Sequence, residues 1–172
     1  KVCGVESTSK ISVIFGSRDE HLAEKLARHL QRHWSVWWAA AIVEGKWEDQ
    51  VRSAISSCDA VVAVVSSNSQ GKNVFSDELR FASQREKLIF PFVVEEADLP
   101  LGFGVLNRTE ALGWDGSESH PGVARLVEKL SQALDMRLHR SEPNRRSRRL
   151  ILGQKTLNLP NFVFSVSSYE TQ

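Results

Sequence analysis

Ala60-Val61-Val62-Ala63-Val64-Val65 is an unbroken apolar run of six residues. It shows no alternation of polar and apolar side chains, so a strand here has to be covered on both faces. Similar runs recur on either side of it. Ile11-Ser12-Val13-Ile14-Phe15 ends at Gly16, Ser35-Val36-Trp37-Trp38-Ala39 follows, and Leu88-Ile89-Phe90-Pro91-Phe92-Val93-Val94 lies downstream, with a weaker fifth strand at Thr109-Glu110-Ala111-Leu112. Helical spacing fills the intervals. Leu22, Leu26 and Leu30 with Ala23 and Ala27 form one stripe; Val51, Ala54 and Ile55 form a second; Phe75, Leu79 and Ala82 form a third. A last helix from about Pro121 carries Val123, Leu126, Val127, Leu130 and Leu134. Ser17 and Glu20 have the spacing of a capping box at the start of the first helix.

Strands alternating with helices demand right-handed crossovers and a parallel sheet with helices on both faces. The fold class expected is α/β, a flavodoxin-like three-layer sandwich whose five strands run in the order 2-1-3-4-5. Ligands in such sheets bind beyond the carboxyl ends of the strands, where the order reverses. That places the crevice between strands one and three, where Phe15-Gly16-Ser17-Arg18 meets Ser66-Ser67-Asn68. The helix after strand three then contributes Glu78. Glu78 borders the buried stripe instead of lying opposite it, so it is either a partnered structural acid or a site residue.

The formal net charge of +1 hides an asymmetry. Between Arg137 and Arg149 there are six arginines against one acid, Glu142, while Lys155 and Glu170 cancel farther on. The first 136 residues are therefore mildly acidic, and any nucleic-acid contact belongs to the basic tail, where clustered arginines meet phosphates without sequence preference. The blander reading of that tail is a solvated linker. No apolar run approaches the roughly 18 residues needed to span a bilayer, and the first residues lack a signal peptide's apolar stretch. Two cysteines, Cys3 and Cys58, offer neither a disulfide framework nor a CxxC metal spacing. The composition points to a cytoplasmic domain without membrane contact.

Residues 10–136 resemble a TIR domain. The pieces that match are Ile11 to Glu20, the strand ending Val65-Ser66-Ser67-Asn68, Phe75-Ser76-Asp77-Glu78-Leu79, Ile89-Phe90-Pro91-Phe92 and Asp98-Leu99-Pro100-Leu101-Gly102-Phe103-Gly104. Arg18-Asp19-Glu20 after an apolar strand and a glycine resembles the bacterial branch found in anti-phage effectors. The resemblance implies an enzyme, an NAD+ glycohydrolase or cyclase, in which the glutamate corresponding to Glu78 is catalytic and NAD+ is substrate; no prosthetic cofactor and no metal is implied. It also implies that Phe15, Gly16, Ser17 and Arg18 line the nicotinamide-ribose pocket, with Ser66 and Trp47 beside them. Arg18 is a candidate for holding a phosphate. The loop from Ala40 to Trp47 is expected to gate the ligand and to mediate self-association with other copies. Many catalytic members carry a tryptophan four residues before the glutamate, where this chain has Val74.

The chemistry suits a single carboxylate. Nicotinamide leaves a cationic ring as a neutral base, so no general acid is needed, and the ribosyl group left behind resembles an oxocarbenium ion. A carboxylate facing the ribose stabilises that charge. Two alternatives stand beside this reading: an adaptor that signals only through TIR–TIR contact, and a regulatory module that binds a nucleotide without turning it over.

The remaining motifs have plainer readings. His29 and His33 share a helix four residues apart, but without a third ligand they read as a helix surface or assembly face. Gly102-Phe103-Gly104 lacks the third glycine of a dinucleotide fingerprint and reads as a loop. Trp34, Trp37, Trp38, Trp47 and Trp114 are expected in the core, with Trp47 the one placed to touch a ligand. Cys58 is expected to pack as a small hydrophobe. The organisation expected is residues 1–9 as an N-terminal extension, 10–136 as the TIR-like domain, 137–149 as a basic linker and 150–172 as the start of a second domain, a fused sensor or assembly module.

Overall fold

The computed structural model describes residues 9–39, 47–103 and 108–141. The elements run β1 (Lys10–Ile14), α1 (Glu20–Leu30), β2 (Ser35–Trp38), α2 (Trp47–Ser57), β3 (Ala60–Val65), α3 (Asn73–Gln84), β4 (Leu88–Val93), β5 (Thr109–Glu110) and α4 (Pro121–Ser141). The strands form one sheet in the order β2-β1-β3-β4-β5, every pair parallel. This is the order expected from the sequence. Every residue of β3 is buried, as its uninterrupted apolar run requires.

Two cores result, one on each face of the sheet. Ile11, Val13, Val62, Val64 and Phe92 pack with α1 and α4, whose Leu26, Leu30, Leu126 and Leu130 are fully enclosed. Ile14, Val61, Ala63 and Val65 pack with α2 and α3 through Ile55, Phe75, Leu79 and Ala82. Trp114 joins the first core by an edge-on contact with Phe92 at 5.2 Å. Phe103 joins the second, beside Gly102 at φ +95°. Glycine suits that left-handed turn. Cys58 is buried, donates to the Ile55 carbonyl at 3.2 Å, and is pushed up to about 11 chiefly by burial, which leaves the thiol unreactive.

Pro91 sits inside β4, where a central strand normally excludes proline. Val94 N–H donates to Val65, whereas the Val93 carbonyl accepts from Ala111. The alternation turns the Pro91 nitrogen toward β5, which begins only opposite Phe92. The β3–β4 ladder therefore loses no bond.

Three expectations need correction. Ser17 does not cap α1: the N-cap is Asp19, and no side chain bonds the free N–H groups there. His29 is not on the helix surface but buried beside Trp114, with a ring nitrogen 3.5 Å from the Gly116 carbonyl. Arg137, grouped with the linker by charge, lies within α4 and donates to the carbonyls of Asp59 and Glu86. Cys3, the 40–46 loop, Gly104 and the tail beyond residue 141 lie outside the described residues. No helix among the described residues is long and apolar enough to cross a membrane.

Candidate active site

α3 presents Phe75, Leu79 and Ala82 to the core, and Glu78 stands one residue before Leu79, at the edge of the packed stripe. The helix thus holds a carboxylate where apolar packing ends. A cavity of about 400 Å³ opens there, between the end of β1, the end of β2 and the first turns of α2 and α3. Its apolar walls include Phe15, Trp37, Trp47, Val51 and Phe75, and its polar groups are Ser17, Glu20, Lys72, Asn73 and Glu78. Glu78 is half-buried, and burial pushes its carboxyl up to about 7 from an ordinary 4.5.

The cavity gathers Phe15, Gly16, Ser17, Trp47 and Glu78, as the sequence led one to expect, but not Ser66 or Arg18. The crevice is displaced toward β2. The expected opening between β1 and β3 is closed by a polar knot. Asp19 is buried, and its carboxylate accepts from the Ser66 hydroxyl and, at 2.7 Å, from the Asn68 amide. Ser69 Oγ accepts from Ser66 N–H at 3.0 Å and donates to its carbonyl at 2.8 Å. Ser66 is therefore scaffold, not cavity wall. Arg18 is exposed and is not part of the lining.

Gly16 is what allows the knot to form. A Cβ built on it falls 2.9 Å from the backbone of Asn68 and Ser69, too close for any side chain. Gly16→Ala is expected to lower stability by about 1–3 kcal/mol, because two backbone segments must move apart. A drop in Tm checks this, and an unchanged Tm would mean the loops are looser than they stand.

Glu20, Lys72, Asn73, Trp37 and Val51 belong to the cavity and escaped the sequence reading. Glu20 was assigned to a capping box, which gave it a backbone partner it does not have. Lys72 is the N-cap residue of α3, with extended backbone and no side-chain cap bond. Its place on the same cavity as Glu78 was recoverable, since both stand in the opening turns of one helix. Val74, with 49% of its surface exposed, lies along the same wall and leaves room where a larger ring would stand. Among the described residues, no group of three or more His, Cys, Asp or Glu side chains could hold a metal ion.

Residues 11–127 match the sequence model of the family described as TIR domain. The TIR domain of the Toll-related receptor TRR-2 from Hydra magnipapillata superposes with a TM-score of 0.51 at 12% identity, over 58% of this chain and 82% of that one. A CMP N-glycosidase from Clostridium botulinum gives 0.48 at 17% identity, over 69% and 98%. A 2-desoxiribosyltransferase from Leishmania mexicana gives 0.41 at 14%, over 51% and 65%. No curated protein sequence matches significantly. With most of its length matched by the family's sequence pattern, and the sheet order to go with it, this chain belongs to the TIR-domain family.

Proposed function

We propose that this TIR domain hydrolyses NAD+ at the nicotinamide–ribose bond, with Glu78 as the catalytic carboxylate. The observation that carries the reading is Glu78 itself, a half-buried acid in a largely apolar cavity, raised to about 7 by burial alone. A solvated helix acid would sit near its ordinary value. The C1′–N bond breaks, its electron pair leaves with neutral nicotinamide, and the ribosyl cation is held against the carboxylate. Water then adds at C1′ and loses a proton to solvent, giving ADP-ribose; capture by an internal nucleophile gives a cyclic product. Phe15, Trp37 and Trp47 suit the flat pyridinium ring, which is cationic until the bond breaks. Activation by self-association is carried over from the resemblance to the TIR family, and a role in anti-phage defence from the resemblance of Arg18-Asp19-Glu20 to the bacterial branch.

One observation favours a second reading, a non-catalytic adaptor acting through TIR–TIR contact. Val74 stands where many catalytic relatives have tryptophan, and it cannot stack on the pyridinium ring. Chromatographic measurement of nicotinamide release at high protein concentration separates the two. Release identifies the hydrolase, and its absence from folded, oligomeric protein identifies the adaptor.

The reaction requires ionised Glu78. kcat/KM for NAD+ is therefore expected to rise with pH up to about 7 and level off above it, since this parameter reports the free enzyme. A pH profile flat between 5 and 8 would remove Glu78 from the mechanism. The same group works against folding. Its folded pKa lies above its unfolded one, so the folded state holds the extra proton between about 4.5 and 7, and stability falls as pH rises through that window. Glu78→Gln is expected to raise stability by about 1–2 kcal/mol at pH 8 and by little at pH 4, measured by denaturant unfolding.

A further inference from the structure

A second, smaller cavity of about 110 Å³ lies between α2 and α3, lined by Arg52, Ile55, Asp77 and Phe81 among others. It shares Trp47, Val51, Val74 and Glu78 with the larger one, so the two are halves of a single cleft with Glu78 at the neck. Val74, Glu78 and Phe81 follow one another at spacings of four and three along α3 and form one stripe. Trp47, Val51 and Ile55 form the facing stripe of α2.

The far end of this groove is cationic in an unusual way. The Arg52 guanidinium lies 5.2 Å from the centre of the Phe81 ring, and the Arg85 guanidinium lies 5.1 Å from the same centre. Arg52 comes from α2 and lines the groove, whereas Arg85, at the C-cap of α3, stands just beyond the lining on the Phe81 ring, so two separate elements bring like charges onto one ring. Among the described residues neither guanidinium has a carboxylate partner; the ring offsets only part of their repulsion. Of the acids on the groove walls, Asp77 is engaged with Arg80 at 3.7 Å, and Glu48 stands on the first turn of α2. Exposed guanidiniums held in place without a counter-ion suit phosphate oxygens, which they bind in a fixed fork geometry.

We infer that the α2–α3 groove is the phosphate subsite of the cleft, with Arg52 and Arg85 receiving the diphosphate of a dinucleotide whose ribose faces Glu78. The assignment rests on reading Glu78 as the ribose-facing carboxylate. Phe81 is one helical turn beyond Glu78, about 4.5 Å along the axis. The 5′-phosphate of a ribose held at Glu78 is one exocyclic carbon beyond the sugar ring, so it reaches that turn. The base then enters the larger, aromatic-walled half, and the rest of the dinucleotide runs outward past the arginines.

The test uses Arg52→Gln with Arg85→Gln in the full chain. Both side chains are exposed, so folding is not at stake, and circular dichroism confirms it. ADP-ribose binding is measured by calorimetry, and the preference for NAD+ over nicotinamide riboside, which has no phosphate, is measured by turnover. The double variant is expected to weaken ADP-ribose binding at least about tenfold and to lower that preference by a similar factor. Arg52→Lys with Arg85→Lys should recover part of both losses. Unchanged ADP-ribose affinity, or a wild-type chain that binds no ADP-ribose, overturns the assignment. Arginine-dependent ADP-ribose binding by a wild-type chain that never cleaves NAD+ supports the subsite and sinks the hydrolase reading instead.

Discussion

Glu78→Gln is expected to reduce nicotinamide release from NAD+ by about 10²–10³-fold, while the folded protein and its oligomeric state persist. The magnitude follows from what one preorganised group facing a developing charge contributes in a site shielded from water. Glutamine keeps the size and most of the hydrogen bonding of the carboxylate but cannot neutralise the ribosyl cation. The loss belongs in kcat more than in KM, because the positive charge on the sugar develops only as the bond breaks. Liquid chromatography of NAD+, nicotinamide and ADP-ribose, at protein concentrations high enough for self-association, gives the readout and shows whether the product is linear or cyclic. If the variant matched wild type, the carboxylate would be a structural acid and the cleft would need another catalyst.

The second large effect is expected at a residue that touches no substrate. Asp19→Ala should destabilise the fold by about 3 kcal/mol. The carboxylate is buried and holds both the Ser66 hydroxyl and the Asn68 amide, and truncation leaves the buried hydroxyl and the half-buried amide without that partner. Hydrogen bonds to a charged group contribute about 1.5–3 kcal/mol each, with part recovered if water enters. Denaturant unfolding at pH 7 measures it. Asp19→Asn should recover part of the loss, since it keeps the shape but exchanges one acceptor for a donor. The consequence for activity is indirect: the knot ties the end of β3 to the start of α1 beside the cavity floor. A loss below about 1 kcal/mol would show that the loop holds its shape without the carboxylate.

These residues mark where sequence reasoning stops. The apolar run of β3 and the helical stripes dictate which faces are buried, and the sheet order follows from them together with crossover handedness. Glu78 was legible because helical phase alone puts it at the boundary of the packed stripe. Asp19 and Ser66 were not. A short polar side chain has several local partners within reach, and only the approach of a distant loop, across 47 residues, chooses among them. Ser17 followed by Glu20 satisfies a local capping pattern, yet Asp19 occupies the N-cap and its carboxylate is spent on the β3 loop. Arg52 and Arg85 show the same limit: each is an ordinary surface arginine until α2 and α3 bring them over Phe81.

Pro91 has a bearing on what the border of the sheet can accept. Ahead of the short β5, the outer side of β4 pairs with no strand among the described residues, and such an edge is the kind onto which a neighbouring chain can graft a strand. On that side the peptide groups belong to alternate residues, Ile89 and Pro91, and proline removes one of the two donors. Strand grafting there would leave a carbonyl of the incoming chain unanswered. Strand addition is therefore disfavoured at this border, which leaves β2, at the opposite end of the sheet, as the edge without a proline.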